Sequence, residues 1–446
     1  MKNLKLYHLK SHSCITVYKT FKEKLRSNEF SRNLTLVLSG NVTAKAIGIL
    51  SAPIITRIYS PEDYGVFALF MGIVSIIGAL STLRYATAIP LIKNENALEA
   101  MLKLCFLMIA IVSAIACFVL LYYSDLFVVT FNAENIRSYL WFFPLAFFAT
   151  GCYQTLSSWA IREKKFKIIT QTTVTQSLSS SLSKILLGLL HLKPSGLLIG
   201  VIIQEAAGTF RLLKSMLRKY PLFFKRFNWG LVKSVAVRYK NFPLIQSWSQ
   251  LLLALGAQLP VLLIGYLYDL KVAGAFGLAQ SMISLPMNLI GQAVAQVYYA
   301  EIANMGKENP LEIYRLSAEV IKKMFIIGLF PVLFLLLFGP LTFKFVFGTE
   351  WKDAGVYSQI LSLLILARFI STPVMSCLNV LEKQMLQLWI NLFRVIFIVI
   401  VFCFASVLNF DVIEALFIYT ITLSIYFLIV IKMVMSQLKK ITKESV

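Results

Sequence analysis

Long apolar stretches, separated by short polar segments, follow one another along most of this chain. Twelve of them have about 20 residues or more, the length that an α-helix needs to cross the apolar core of a bilayer. The pattern therefore predicts an all-α polytopic membrane protein with about twelve spanning helices. Their predicted ranges are 33–58, 64–92, 100–123, 136–160, 168–191, 195–216, 243–267, 272–299, 314–338, 354–381, 385–408 and 411–433.

The fifth predicted helix differs from the others because it contains the polar run TQTTVTQSLSSS at 170–181. Hydroxyl and amide side chains in a membrane helix are stable when they face other helices or water, and not when they face lipid. We therefore predict that this helix packs among its neighbours or lines a water-filled cavity.

Composition supports a membrane protein. Of the 446 residues, 58% are hydrophobic and 14% are charged, whereas soluble domains average about a quarter charged residues. The net charge of +22 does not indicate nucleic-acid binding, because the basic residues lie between apolar stretches and do not form one polar surface. That distribution is typical of topology signals.

The basic residues predict the orientation of the helices. They concentrate in the N-terminal arm, in every second connection and at the C-terminal end, while the odd-numbered connections are short and contain few of them. This alternation predicts twelve spans with both ends cytoplasmic. The main clusters are Arg162, Lys164, Lys165 and Lys167 in the fourth connection, Arg211 to Lys240 in the sixth, and Lys439, Lys440 and Lys443 at the end.

The long sixth connection divides the chain into two halves. We predict a cytoplasmic basic arm (1–32), an N-terminal lobe of six helices (33–216), a basic linker (217–242), a C-terminal lobe of six helices (243–433) and a cytoplasmic tail (434–446). Residues 228–239 of the linker have apolar residues at helical spacing, which predicts a helix at the interface with anionic lipid. A solvated linker is the alternative.

A weak internal repeat relates the two predicted lobes. Pro53 precedes YGVFALF at Tyr64–Phe70, and Pro260 precedes AGAFGLA at Ala273–Ala279, each near the start of the second helix of its half. Because six spans return the chain to the same side, such halves are parallel repeats about an axis along the membrane normal. This arrangement is found in transporters that bind their cargo between the repeats.

Five basic residues lie inside predicted spans, and one carboxylate lies comparably deep. A charge at bilayer depth costs about 2.5–3.5 kcal/mol on insertion scales, so such a residue normally faces a cavity or a partner. One acid cannot neutralise five cations, and an anionic substrate is the simplest source of the missing charge. The cations are Lys45, Arg84, Lys184, Arg368 and Arg394, and the acid is Glu205.

Each deep residue also has a structural interpretation. The cations can pair with helix-end carbonyls or extend to the interface, as Arg84 near the cytoplasmic end of the second helix is well placed to do. Glu205 can take up a coupling proton or sodium ion, or it can form a salt bridge with Lys184. Amide side chains can bind sugar hydroxyls or join helices; they are Gln204, Gln258, Asn288, Gln292 and Gln296.

Enzymatic functions have little support in the sequence. The three histidines are scattered and the six cysteines have no metal-ligand spacing, so no metal or other cofactor is predicted. The longest outward connection, around 124–135, has only about a dozen residues, and no nucleotide-binding motif occurs. A membrane enzyme such as a polymerase or glycosyltransferase is the alternative. It is disfavoured because its chemistry needs positioned acids, bases or a metal, and the sequence shows no such group of residues. A cation exporter is disfavoured because the deep charges are basic.

Two stretches resemble a known family. They are PIITRIYSPEDYGVFALFMGIVSIIGALSTLRYATAI (Pro53–Ile89) and NFPLIQSWSQLLLALGAQLPVLLIGYLYDLKVAGAFGLAQSMISLPMNLIGQAVAQVYYAEIA (Asn241–Ala303). Both are similar to the bacterial polysaccharide-biosynthesis flippases, the O-antigen translocases. That family belongs to the superfamily that includes multidrug-and-toxin exporters and the lipid II flippase.

The resemblance implies a two-lobed, alternating-access transporter in the bacterial inner membrane that is not an enzyme. The implied cargo is an oligosaccharide on a polyprenyl pyrophosphate, a precursor of lipopolysaccharide O-antigen, capsule or a related polysaccharide, which moves to the periplasmic leaflet through a cationic cavity. Membrane lipids, a polymerase and chain-length proteins of the same pathway are the implied partners.

Overall fold

The computed structural model describes residues 29–125, 134–221, 223, 228–305, 309–381 and 383–444. Most of the predicted N-terminal arm, residues 1–28, therefore lies outside the described residues. The described part contains fourteen α-helices, and the twelve longest follow the order of the twelve predicted spans. They are α1 (Glu29–Ile58), α2 (Pro61–Gly78), α3 (Glu95–Tyr122), α4 (Phe142–Arg162), α5 (Phe166–Leu189), α6 (Ser195–Lys219), α7 (Trp229–Arg238), α8 (Ser247–Leu267), α9 (Leu270–Met305), α10 (Pro310–Phe347), α11 (Lys352–Met375), α12 (Cys377–Val380), α13 (Gln384–Val407) and α14 (Val412–Glu444).

Nine described helices are long and apolar enough to cross a membrane. The other three long helices, α4, α5 and α9, pack within the same bundle: α4 and α5 contact α6, and α9 contacts α2 and α11. The polar residues of these three helices are compatible with that position because neighbouring helices supply their partners. The prediction of a multi-pass all-α membrane protein is confirmed.

The predicted second span, 64–92, is too long. Helix α2 ends at Gly78 and is followed by turns and a 3₁₀ helix at Tyr85–Leu91. Leu83 and Arg84 have left-handed backbone conformations, with φ of 45° and 62°, and a right-handed helix cannot continue through them. Apolar composition predicted one long helix here because hydropathy carries no information on backbone handedness.

Helix α5 directs its polar side chains towards neighbouring helices, as its sequence predicted. Its leucines Leu178, Leu182, Leu186 and Leu189 are between 48% and 60% exposed. On another face, Ser177 donates to the carbonyl oxygen of Ala44 in α1 at 2.6 Å, and Ser181 lies 2.9 Å from Ser51, hydroxyl to hydroxyl. The polar run therefore packs against α1 and α6 and leaves leucines for lipid.

The start of α2 is fixed by local hydrogen bonds. The Ser60 hydroxyl accepts from the backbone N–H of Asp63 at 3.2 Å, and the Asp63 carboxylate accepts from the backbone N–H of Ser60 at 3.0 Å. Pro61 occupies the first helical position, where its missing N–H costs nothing. This reciprocal cap, which satisfies two otherwise unpaired donors, sets where α2 meets the other half of the chain.

The two halves of the chain contact each other where α2 crosses α9. A Cβ on Gly65 would lie 1.9 Å from the Leu270 carbonyl oxygen, and a Cβ on Gly274 would lie 1.9 Å from the Pro61 carbonyl oxygen. Each glycine thus meets the residue four positions before the other glycine. This reciprocity is what a twofold axis between α2 and α9 produces, and it agrees with the register of the internal repeat.

Further contacts close the same end of the bundle. The buried Trp351 indole N–H donates to the Thr56 carbonyl oxygen at 2.9 Å, and the Trp351 ring packs edge-on against Tyr64 with centroids 5.4 Å apart. Arg57 donates to the Phe345 carbonyl oxygen at 3.3 Å. We name this set of contacts, with the Gly65–Gly274 crossing, the seam. By the predicted topology it lies at the extracytoplasmic end.

The amphipathic helix predicted in the linker is present as α7. Its apolar residues Val232 and Val235 are buried, and the helix packs against α3. The face predicted to lie on lipid therefore contacts protein, whereas Trp229 and Val237 are 65% and 58% exposed. Apolar spacing predicted the helix correctly, but the buried part of its apolar face packs against α3 and not against lipid.

A network of ion pairs joins α3, α4 and α6 at the predicted cytoplasmic end. Arg162 contacts Glu95 at 2.7 Å and also pairs with Glu163, and Lys219 contacts Glu163 at 2.7 Å. Glu95 also accepts a hydrogen bond from the Tyr220 hydroxyl, and the Lys219 ammonium lies 3.4 Å from its carboxylate. This network holds the ends of three helices together.

We expect Arg162→Gln to lower the stability of the protein by about 2 kcal/mol, because Glu163 then loses a half-buried partner. Thermal unfolding of the purified variant at pH 7 measures the loss. Lys167→Gln, at an exposed position, is the control; equal melting temperatures for both variants would contradict the assignment.

Candidate functional site

Three adjoining cavities occupy the middle of the bundle. The largest, 420 Å³, lies between α2, α8, α9 and α11; a second, 150 Å³, lies between α1, α2, α5 and α6; and a third, 30 Å³, lies within the C-terminal half. The first two share Tyr64, Phe67 and Met282 in their walls. The first and third share three other residues, Gln280, Ser284 and Arg368. We name the three together the central cavity.

The walls of the central cavity carry positive charge. Lys184, Arg368 and Arg394 are among the lining residues, and none of the lining residues is a carboxylate. In a medium of low dielectric constant, three cations without a lining acid create a strong field for an anion. Among the described residues, no group of His, Cys, Asp and Glu could hold a metal ion.

Arg368 is the cation that faces the 420 Å³ cavity. It lies in α11, is partly exposed and lines both the 420 Å³ and the 30 Å³ cavities. Its guanidinium makes no hydrogen bond or ion pair with any residue that the structure describes. The whole donor set of Arg368 is therefore available to a molecule in the cavity.

Arg394 lies behind Arg368. Only 8% exposed, it donates from Nη2 to the Leu253 carbonyl oxygen at 3.0 Å. No residue that the structure describes forms a hydrogen bond with its buried Nε. Gly256 leaves the space for this side chain, since a Cβ there would lie 2.2 Å from Nε and Nη2. The 30 Å³ cavity has the volume of about one water molecule. Arg394 thus adds positive charge next to Arg368 without itself lining the 420 Å³ cavity.

Lys184 lies on the opposite side of the central cavity. Its ammonium nitrogen is 4.8 Å from the centre of the Phe67 ring, and the side chain lines the 150 Å³ cavity. The predicted salt bridge between Lys184 and Glu205 is not formed. Glu205 lies in α6 beside Gln204, and its buried Oε2 has no hydrogen-bond partner among the described residues.

Two predicted cations are not brought into the central cavity. Lys45 lies in α1 one turn before Gly48, the first α1 residue in the wall, and does not itself line any of the three cavities. Arg84 lies at the left-handed turn before the 3₁₀ helix, where its Nε is buried without a hydrogen-bond partner. The roles of both residues stay predictions.

The sequence predicted only some of the polar residues that line the central cavity. Gln204, Gln258 and Asn288 line the central cavity, whereas Gln292 and Gln296 are exposed. Sequence reasoning missed several lining residues, which are Ser51, Thr56, Tyr64, Phe67, Gln280, Ser281 and Ser284. Gln280, Ser281 and Ser284 form a polar patch in an apolar helix, which is a usable signal. Tyr64 and Phe67 give none, because aromatic residues are common everywhere in this chain.

Solved structures with the same architecture are membrane transporters. An inward-facing MATE family multidrug transporter of the MOP superfamily matches with a TM-score of 0.70 at 14% identity, covering 92% of this chain and 99% of its own. The lipid II flippase MurJ in an inward closed conformation also scores 0.70, at 12% identity, covering 92% and 90%. An outward-facing MATE transporter scores 0.60 at 15% identity, covering 94% and 98%.

The protein therefore has the transporter fold of the MATE and MurJ proteins. A comparison with curated protein sequences found no match. The model of the family described as polysaccharide biosynthesis protein matches residues 54–356, about two thirds of the chain. The chain belongs to that family, and the resemblance noted in its sequence is confirmed.

Proposed function

We propose that this protein is a flippase for polyprenyl-pyrophosphate-linked oligosaccharide repeat units of O-antigen, capsule or a related surface polysaccharide. It moves them from the cytoplasmic to the periplasmic leaflet of the bacterial inner membrane. The observation that carries this proposal is the central cavity, in which three cations and many hydroxyl and amide groups converge without a lining acid. That wall suits a glycan with an anionic linker and does not suit a cationic drug.

The pyrophosphate is proposed to bind at Arg368. A guanidinium can donate two parallel hydrogen bonds to phosphate oxygens, and Arg368 has no competing partner among the described residues. Arg394 strengthens the field from behind. Lys45 and Arg84, in the other half, are proposed to attract the anion, the lysine as a mobile point charge. The polyprenyl tail remains in the bilayer throughout.

We propose that the seam contacts form in the inward-open state and break in the outward-open state. These contacts close the predicted extracytoplasmic end, so the cargo enters the central cavity from the cytoplasmic side in this conformation. A cargo can shift the equilibrium towards the opposite state only if it binds that state more tightly. Arg368 and Lys184, which belong to different halves, are the groups whose distance from one bound cargo changes when the seam opens.

The test is the analysis of polyprenyl-linked glycans in a strain that lacks this protein. Complete repeat units that accumulate on the cytoplasmic face, together with loss of surface polymer, are the expected result. Sidedness is measured with an enzyme that cannot cross the membrane. Single units that reach the outside but stay unpolymerised would point to a polymerase instead. We propose that polymerase and chain-length proteins act on the units that this protein delivers.

Glu205 is proposed to take up the coupling proton or sodium ion, because its buried Oε2 has no hydrogen-bond partner. We expect transport by Glu205→Gln to lose its response to an imposed proton or sodium gradient, whereas wild-type transport changes severalfold. Reconstituted vesicles with each gradient in turn provide the measurement. Glu319→Gln, at an exposed position on α10, is the matched control. An unchanged gradient response in Glu205→Gln would refute the proposal.

A further inference from the structure

The 150 Å³ cavity in the N-terminal half is a built polar site distinct from the position of Arg368. Its volume corresponds to about five water molecules, enough for one sugar ring. Ser180 in its wall is 4% exposed, and its hydroxyl has no hydrogen-bond partner within the part of the chain that the structure describes. Hydroxyl groups of Ser51, Ser177 and Thr56 and the amide of Gln204 complete the polar part of the wall.

Lys184 is the one charged residue that lines this cavity. Its stem lies along α6, where a Cβ on Gly200 would be 2.5 Å from the Lys184 Cγ, so close packing fixes the direction of the side chain. The ammonium lies over the Phe67 ring and forms no ion pair with any described residue, Glu205 included. A positioned ammonium among hydroxyls is a receptor for an anionic, hydroxylated group.

The central cavity has a cation on each side of an internal boundary, Lys184 on one side and Arg368 on the other. Tyr64, Phe67 and Met282 form the boundary between the Lys184 cavity and the larger cavity that Arg368 lines. If the pyrophosphate lies at Arg368, it occupies the C-terminal side of this boundary. The ammonium on the N-terminal side then stays available to another negative group on the same cargo.

We propose that the Lys184 cavity binds an acidic sugar of the glycan, a uronic acid or a similar residue whose ring carries a carboxylate. The ammonium pairs with the carboxylate, and the serine hydroxyls and Gln204 bind the ring hydroxyls. The boundary rings of Tyr64 and Phe67 offer apolar surface to the sugar face. This inference rests on the proposed flippase function and narrows its substrate class to acidic repeat units.

The test uses the full chain in proteoliposomes with two fluorescent polyprenyl-pyrophosphate disaccharides. These lipids differ only in the distal sugar, glucuronic acid in one and glucose in the other. Protection of the fluorophore from a membrane-impermeant quencher reports movement. We expect Lys184→Gln to slow the glucuronate lipid about tenfold or more, as loss of a charged hydrogen bond does. The glucose lipid should change less than about threefold, and Lys184→Arg should retain most of the glucuronate rate.

The glucose lipid also controls for folding, since a misfolded variant moves neither lipid. Equal slowing of both lipids by Lys184→Gln, with normal elution of the purified variant, would show that Lys184 contacts the pyrophosphate and would overturn the inference alone. Unchanged movement of both lipids would overturn it as well. Wild-type protein that moves neither lipid would instead overturn the flippase function on which the inference rests.

Discussion

Gly65→Ala is expected to abolish transport while the protein still inserts and purifies normally. The new Cβ would lie 1.9 Å from the Leu270 carbonyl oxygen, which belongs to helix backbone and cannot rotate away. Overpacking of this kind costs about 1–3 kcal/mol or more. Because the strain is relieved when α2 and α9 separate, it shifts the conformational equilibrium about 5- to 150-fold towards a state with an open seam. Gly274→Ala should behave in the same way because the contact is reciprocal.

The conformational shift can be measured by thiol labelling. A cysteine at Ala68, which lines the central cavity near the seam, is introduced into a chain without its native cysteines. We expect an impermeant thiol reagent on the extracytoplasmic side to label this cysteine when Gly65→Ala is present and not in its absence. Gly78→Ala, on the same helix, is the control: its Cβ meets Thr150 at 3.6 Å, an ordinary contact. Normal transport by Gly65→Ala would show that the seam need not close.

Arg368→Gln is expected to reduce transport about 100-fold, because one charged, bidentate contact with phosphate contributes up to about 3 kcal/mol. Arg368→Lys should restore only part of the activity, since an ammonium cannot form the two parallel hydrogen bonds. Transport in proteoliposomes measures these effects, and titration of the purified protein with inorganic pyrophosphate tests the binding step directly.

Two controls separate this prediction from a general effect of charge. Arg315→Gln removes a positive charge from an exposed position on α10 and should leave both transport and pyrophosphate binding unchanged. Arg394→Gln should weaken pyrophosphate binding less than Arg368→Gln does, because Arg394 lines only the 30 Å³ cavity. Near-normal surface polysaccharide in cells that carry Arg368→Gln would refute the site.

The helices and their order could be predicted because each depends on local composition. A run of about 20 apolar residues is stable across a bilayer only as a helix, since its backbone groups must bond within the segment. Even the unusual α5 was predictable, because TQTTVTQSLSSS excludes a lipid-facing position for that side of the helix. The end of α2 was not, because the left-handed conformations of Leu83 and Arg84 are invisible to hydropathy.

The cationic character of the site was also predictable, but its membership was not. Excess deep positive charge indicated an anionic cargo whichever way each side chain faced. Whether a given residue reaches the cavity depends on the rotation of its helix and on its neighbours. Lys184 and Arg368 line the central cavity, whereas Lys45, equally deep in sequence, does not. Lys184 and Glu205 do not pair, because the rotation of α5 and α6 and not the depth of a residue decides which side chains meet.

The sequence by itself determined that this is a multi-pass helical membrane protein and related its two halves. Its excess of deep positive charge predicted an anionic cargo, and that prediction awaits the transport experiments. Those properties follow from composition, spacing and charge counts, which do not depend on how helices pack. Only the tertiary structure decided that Gly65 and Gly274 meet and that Arg394 stands behind Arg368. It also decided that Lys184 has a polar cavity of its own. Such contacts join residues far apart in the chain, and their geometry is fixed by interhelical packing that no local pattern encodes.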